Sequence, residues 1–341
     1  AGGLAQLHVT GERMMTPLPI FHMNAKAYSF MAMITVGGCL IALDRFHPKT
    51  WWSNVKLSGA TCLHYLGVMP TMLMRLAPSS EDKKHSVRFG FGAGIDPKIH
   101  QAFETRFGIP IVEAWAMTET GAGAVIAANT DNRLIGQSSL GTPAADISCK
   151  IVDEVGQEVP PNTPGELWVR RTNGEPKYGF FSHYYKDPDA SAEAWEGGWF
   201  HTGDLVRQSE NGDIFFVDRK KNVIRRSGEN IAAVEVESVL MRHPDISAVG
   251  VTAVPDPIRG DEVFACVVSD SPKKETALAI TAWCLQKMAY YKAPGFIAFV
   301  DELPLTATQK IQRAELKAQA VRLLGRPDTI PTGHLKKRQV A

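Results

Sequence analysis

Two acidic residues stand where short carboxylates can take hold of a ligand. Glu119 follows an apolar run and adjoins Thr118, so a carboxylate and a hydroxyl share one strand end; the same pair also serves as an ordinary helix cap. Asp204 lies in Gly203-Asp204 between Trp199-Phe200 and Leu205-Val206 and reads as a turn. A short carboxylate there can accept both hydroxyls of a ribose, as acidic residues do in nucleotide sites. Three cations could answer them: Arg219 and Lys221 in the run Asp218-Arg219-Lys220-Lys221, and Lys310 in a loop after Pro304. By default such residues are solvated surface charges; against phosphates they offset negative charge. Ser227-Gly228-Glu229 contains a glycine that lets an extended ligand approach the backbone closely. His22, after Pro19-Ile20-Phe21, is a lone imidazole beside apolar residues, the usual setting of a structural histidine.

Elements must hold these residues, and around the first of them the sequence reads as strand, helix, strand. Val87 to Phe91 is a short apolar strand; Asp96 can cap a helix with Pro97 at its first position. Ile99, Phe103 and Phe107 fall on one face, Gly108 ends the helix, and Ile109 to Ala116 is again apolar. Such a βαβ unit means parallel sheet, with its functional edge at the carboxyl ends of the strands, where Gly92-Ala93-Gly94 and Met117-Thr118-Glu119 fall. Residues 1–140 are therefore read as part of an α/β domain with a parallel sheet and helices. From 141 to 217, short strands and a hairpin at Asn211-Gly212 predict a small antiparallel, β-barrel-like subdomain. Residues 218–222 are charged and carry no core residue, as a hinge between domains does. Over 223–325 a helix (Val234 to Arg242), two strands (Ile246 to Val254, Glu262 to Val268), a helix (Thr276 to Ala289) and a strand (Phe296 to Val300) predict a small α+β domain. Residues 326–341, with two prolines and Lys336-Lys337-Arg338, read as a mobile tail.

With 341 residues, 44% of them hydrophobic, the chain can bury a full core and hold more than one domain. Its net charge of +1 gives no global field for nucleic acid, so an anionic ligand must be held by local clusters. Five scattered cysteines form no metal-ligand spacing and suit a reducing, cytoplasmic setting. The run from Tyr28 to Leu43 is too short to span a membrane and reads as a buried helix-to-strand segment. The residues from Ala1 onward are not expected to form a signal peptide. A homo-oligomer is left open.

In chain order, Met117-Thr118-Glu119, Gly197-Gly198-Trp199-Phe200-His201-Thr202-Gly203-Asp204-Leu205, Asp218-Arg219-Lys220-Lys221 and Thr306-Ala307-Thr308-Gln309-Lys310 resemble the signature of adenylate-forming (AMP-binding) enzymes, the acyl-coenzyme A synthetase superfamily. Phe216-Val217-Asp218-Arg219 and Arg226-Ser227-Gly228-Glu229-Asn230 are most similar to crotonobetaine and carnitine coenzyme A ligases within it. The resemblance covers nearly the whole chain. It implies an ATP-dependent acid:coenzyme A ligase: a small carboxylate attacks the α-phosphorus of ATP to give acyl-adenylate and pyrophosphate, the small domain rotates, and the coenzyme A thiol displaces AMP. It further implies Glu119 on Mg²⁺, Thr118 on phosphate, Gly92, Ala93 and Gly94 at the nucleotide, and Asp204 and Arg219 on the ribose. Lys221 becomes the hinge, Ser227, Gly228 and Glu229 line the coenzyme A path, and His22 gates the acyl pocket. Lys310 is assigned to the substrate carboxylate and phosphate during adenylation.

Three departures qualify this. Ala114-Trp115-Ala116 replaces the usual Gly-Tyr-Gly; Trp115 can still stack on adenine, while Ala116 takes volume from the neighbouring pocket and predicts a small or slender acid. Gln309 replaces the glycine before the loop lysine. The Ser/Thr/Gly-rich phosphate loop is not among these residues; by family order it would precede Ala1, so the sequence reads as the C-terminal two-thirds of an enzyme, expected to adenylate slowly or not at all on its own. Two rival readings are a domain that loads a carrier-protein thiol and a non-catalytic nucleotide-binding remnant.

Overall fold

The computed structural model describes residues 7–67, 69–121, 126–128, 133–172, 174–306 and 310–336. The chain divides into two units, Ala1–Val217 and Asp218–Ala341.

In the first unit, β1 (Arg13–Thr16), β2 (Cys39–Ala42), β3 (Cys62–Leu66), β4 (Phe89–Ala93) and β5 (Ile111–Trp115) are parallel neighbours in the order β2-β1-β3-β4-β5. All five residues of β3 and all five of β5 are buried, as expected of strands covered on both faces. The helix Pro97–Phe107 crosses between β4 and β5; Asp96 caps it by accepting from Lys98 N at 3.0 Å, and Gly108, with φ of +69°, ends it. Phe103, Phe107 and Ile109 pack with Trp51, Val55 and Tyr65 on one face of the sheet, and Met14, Tyr28, Phe89 and Phe91 form the core on the other.

β6 (Ile126–Ala127) runs antiparallel to β5, and the sheet continues through β7 (Ser139–Pro143), β8 (Ile147–Val152), β9 (Gly165–Arg171), β10 (Phe200–Gln208) and β11 (Ile214–Arg219) in the order β6-β7-β11-β10-β9-β8. The antiparallel strands expected over 141–217 are present, but they extend the large sheet as an open path that ends at β8, and no closed barrel occurs among the described residues. Ser209 to Gly212 makes the hairpin turn into β11, with Gly212 at φ of +87°.

The second unit holds β12 (Ile224–Arg226), β13 (Glu229–Ile231), β14 (Ala248–Asp256), β15 (Gly260–Val268), β16 (Phe296–Phe299) and β17 (Ile330–Pro331). β14 and β15 form a nine-residue antiparallel ladder, and β16 lies parallel to β15. Helices Ala233–Leu240 and Lys274–Lys287 cover one face through Val236, Leu240, Ile280 and Cys284, and Leu316 and Ala320 of the helix Arg313–Leu323 cover the other. Two expectations change here. Asp218 is not a bare linker charge but 1% exposed. The segment read as a tail pairs with β16 through β17, Thr332 Oγ1 donates to Pro294 O at 2.8 Å, and Lys336 Nζ donates to Glu262 Oε1 at 2.6 Å. Its threonines and Lys336 supply polar anchors that a composition-based reading counts as solvent-loving. Residues 337–341 lie outside the described residues.

Candidate functional site

The carboxyl ends of β4 and β5 carry the two loops singled out by sequence. Gly92 pairs with Glu113 across the two strands, so the loop 93–95 and the turn 116–120 leave the same edge of the sheet. Gly92 has to be glycine: a Cβ there would lie 2.2 Å from the carbonyl oxygen of Tyr65 and 2.8 Å from its ring. The loop itself is held by Glu113, which is 4% exposed and accepts from Gly94 N at 2.9 Å and Ile95 N at 3.2 Å. Burial pushes the Glu113 carboxyl up to about 7, against the opposing pull of His100 and these two amides.

Asp204 does not sit in a turn. It belongs to the nine-residue strand β10, whose register against β9 shifts between His201 and Leu205. Gly203, at φ of +67°, takes the left-handed conformation this bulge needs, its N–H bonding to Glu166 Oε1 at 3.0 Å. Thr202 Oγ1 donates to Leu167 O at 2.6 Å and accepts from Asp204 N at 3.0 Å. The bulge aims the Asp204 side chain inward, where Trp115 Nε1 donates to Oδ2 at 2.8 Å. Trp115 is 5% exposed and packs with Ile126, Leu140 and Phe200. Its clearest role in this geometry is to hold Asp204.

Glu119 lies in the turn after β5, beside the exposed Thr118, and Thr120 Oγ1 closes the turn on Met117. Tyr184 OH donates to Glu119 Oε1 at 3.1 Å, and Phe181 N donates to Glu119 O at 2.8 Å. The backbones approach so closely that a Cβ on Gly121 would meet Gly179 O at 2.2 Å. Burial, with the Glu119 carboxylate next, raises the Tyr184 phenol to about 12, so it stays a donor at neutral pH. A half-exposed carboxylate with one oxygen oriented by a phenol is a hard oxygen ligand of the kind Mg²⁺ prefers. Neither Glu113 nor Tyr184 was singled out by sequence: Glu113 sits inside an apolar strand, and Tyr184 lies 65 residues from its partner in a segment without a motif.

His22 caps the helical stretch that starts at Met23, Nδ1 accepting from Asn24 N at 3.3 Å, and Ala116 packs against the core formed by Phe89 and Phe91. A different trio, His8, Glu12 and Cys62, brings ligand atoms within 4.8 Å of one another. Its carboxylate already accepts from the Arg88 guanidinium and the Thr61 hydroxyl, so a divalent ion there would face a fixed positive charge.

In the second unit, Arg219 ends β11 and Lys221 is exposed in the short helical turn Lys220–Asn222. Ser227 and Gly228 join β12 to β13 in a two-residue hairpin with φ of +51° and +85°, a primed turn that leaves Ser227, Gly228 and Glu229 exposed. Lys310 is exposed at the end of a loop closed by Thr306 N to Lys310 O at 2.7 Å and Lys310 N to Thr306 Oγ1 at 3.1 Å. Gln309 lies outside the described residues. Among the described residues, no helix is long and apolar enough to cross a membrane.

Comparison with known proteins adds to this geometry. A model of the AMP-binding enzyme family matches residues 3–179, and one of the AMP-binding enzyme C-terminal domain matches residues 235–310. The chain is 32% identical over 305 residues to a crotonobetaine/carnitine-CoA ligase of Proteus mirabilis and 31% identical to that of Salmonella arizonae, covering 89% of this chain and 58% of each relative. The chain thus spans little more than half the length of these relatives. Among solved structures, it superposes on an o-succinylbenzoate-CoA synthetase from Bacillus subtilis in complex with its acyl-adenylate intermediate with a TM-score of 0.76, at 25% identity, over 92% of this chain and 63% of the other.

Proposed function

The chain belongs to the AMP-binding enzyme family, and from that premise we propose that it serves an ATP-dependent acid:coenzyme A ligase working through an acyl-adenylate. The observation that carries the reading is the meeting of Trp115 and Asp204 at 2.8 Å, because it fixes a buried carboxylate from β10 against the strand whose end bears Thr118 and Glu119. Asp204 takes the ribose hydroxyls, with Trp115 acting through it, and the loop 92–94 borders the nucleotide. Thr118 meets phosphate. Glu119, oriented by Tyr184, fits Mg²⁺, which would neutralise charge on the triphosphate. From the second unit, Arg219 serves the ribose, Lys221 the hinge and Lys310 the carboxylate and phosphate, while the exposed turn at Ser227 and Gly228 lies open to an extended thiol.

The acid is small or slender. Ala116 adds a methyl group where the family has glycine, and the curated relatives named above are ligases of crotonobetaine and carnitine, both compact acids. The test is acid-dependent release of AMP by the gene product, with and without coenzyme A, across short, carnitine-like and long-chain acids. Release requiring both acid and coenzyme A, fastest with compact acids, supports the reading. Turnover of a long-chain acid as fast as a compact one refutes the substrate class, and absence of acid-dependent AMP refutes the ligase.

A further inference from the structure

One part-buried arginine ties the Lys310 loop to a helix of the same unit. Arg313 opens the helix Arg313–Leu323, three residues after Lys310, and forks onto Glu237, with its two terminal nitrogens 2.5 and 2.8 Å from Oε1 and Oε2. The same guanidinium donates to Val251 O at 3.1 Å, and Glu237 Oε1 also accepts from Val251 N at 2.7 Å. Glu237 sits in the helix Ala233–Leu240, and the buried Asp218 lies close enough to act electrostatically on both Glu237 and Arg313. Asp218 immediately precedes Arg219 and Lys221. Directional contacts therefore run from the Lys310 loop through Arg313 to Glu237 and its helix, with Asp218, the first residue of the linker, beside the ion pair.

Stability alone does not call for such a device, since apolar side chains of similar volume stabilise a core at least as well as a buried ion pair. What a bidentate fork adds is a fixed distance and angle between two elements. We propose that Arg313 is a positioning residue for adenylation: by locking the Lys310 loop to the helix Ala233–Leu240, beside Asp218, it sets where Lys310 stands relative to the linker. The inference rests on the proposed role of Lys310 in forming the acyl-adenylate. Arg313 touches no substrate.

The test separates the two half-reactions in the gene product. Adenylation is read by acid-dependent exchange of pyrophosphate into ATP, and the second step by thioester formation from supplied acyl-adenylate and coenzyme A. Arg313→Lys keeps the charge and loses the fork, so it should slow adenylation about 10- to 100-fold, the cost of misplacing a group by roughly 1 Å, while the second step stays within about twofold. Lys310→Ala should show the same selective loss, and the double variant should be no slower than Lys310→Ala alone. Equal losses in both half-reactions would mean that Arg313 only stabilises the unit, overturning the proposal. Full adenylation by Arg313→Lys with loss in Lys310→Ala would overturn it while leaving the ligase reading intact; full adenylation by Lys310→Ala would remove the role of Lys310, and the proposal with it, while also leaving the ligase reading intact. Should Arg313→Lys not fold, Glu237→Gln must reproduce the selective loss, or the proposal fails.

Discussion

Replacing Trp115 by phenylalanine tests the link between the parallel sheet and Asp204. The substitution keeps an aromatic ring in the core and deletes the N–H that donates to Asp204 Oδ2 at 2.8 Å. A hydrogen bond to a carboxylate contributes about 1.5–3 kcal/mol, and the space left by the smaller ring adds about 1 kcal/mol. Unfolding of the first unit should therefore become easier by about 2.5–4 kcal/mol. Nucleotide affinity should fall separately, because an Asp204 released from Trp115 must be ordered again to meet the ribose. If the hydrogen-bond share is spent there, the loss is about 10- to 150-fold. Denaturant unfolding gives the first quantity and calorimetric titration with AMP the second, on Trp115→Phe, Asp204→Ala and the double variant. A coupling energy of about 1.5–3 kcal/mol in the stability cycle is expected from direct contact. Additive losses, or unchanged AMP affinity in Trp115→Phe, would refute the idea that the indole positions Asp204.

Tyr184→Phe removes the phenol that orients Glu119 and should raise the Mg²⁺ concentration needed for adenylation roughly tenfold, at about 1.5 kcal/mol for a hydrogen bond to a charged group. An unchanged Mg²⁺ titration would separate Glu119 from the metal. Glu113, raised by burial to about 7 from an ordinary 4.5, favours the folded state fully below the unfolded value and loses that contribution as pH rises through about 7. Thermal unfolding of Glu113→Gln should therefore lack a decline on the order of 3 kcal/mol between about pH 4.5 and 7; a profile parallel to the parent's would show that Glu113 does not titrate in that window.

Local signals were legible wherever chemistry and spacing fall within a dozen residues. Asp96, Pro97 and Gly108 mark both ends of a helix that forms between them, and Asn211-Gly212 marks a hairpin. The compositional break at Asp218 coincides with the division between the units. What escaped is polar burial governed by distant partners. Gly203-Asp204 has the composition of a turn, but Glu166 and Leu167 draw its neighbours into a bulged strand. Asp218 looks solvated until the helix at Ala233 is brought to it, and Glu113 looks misplaced in an apolar strand until the loop at Gly94 turns back over it. The tail fails for the same reason: its anchors, Pro294, Gly295 and Glu262, lie more than thirty residues upstream.

The pairs that assemble the first unit's site are long in sequence. Trp115 and Asp204 stand 89 residues apart, Glu119 and Tyr184 65, and Gly203 and Glu166 37. Each closes a large loop, whose entropy must be lost before the contact stabilises anything, so these pairs belong to the slow end of folding. A chain halted before Phe200 can build β1 to β5 with their helices and still lack Asp204. If Asp204 holds the ribose as proposed, nucleotide would bind only molecules that have completed the sheet and, at a hundred times its dissociation constant, would favour them by about 2.7 kcal/mol. On that reading, during synthesis or refolding the ligand would select finished chains over unfinished ones.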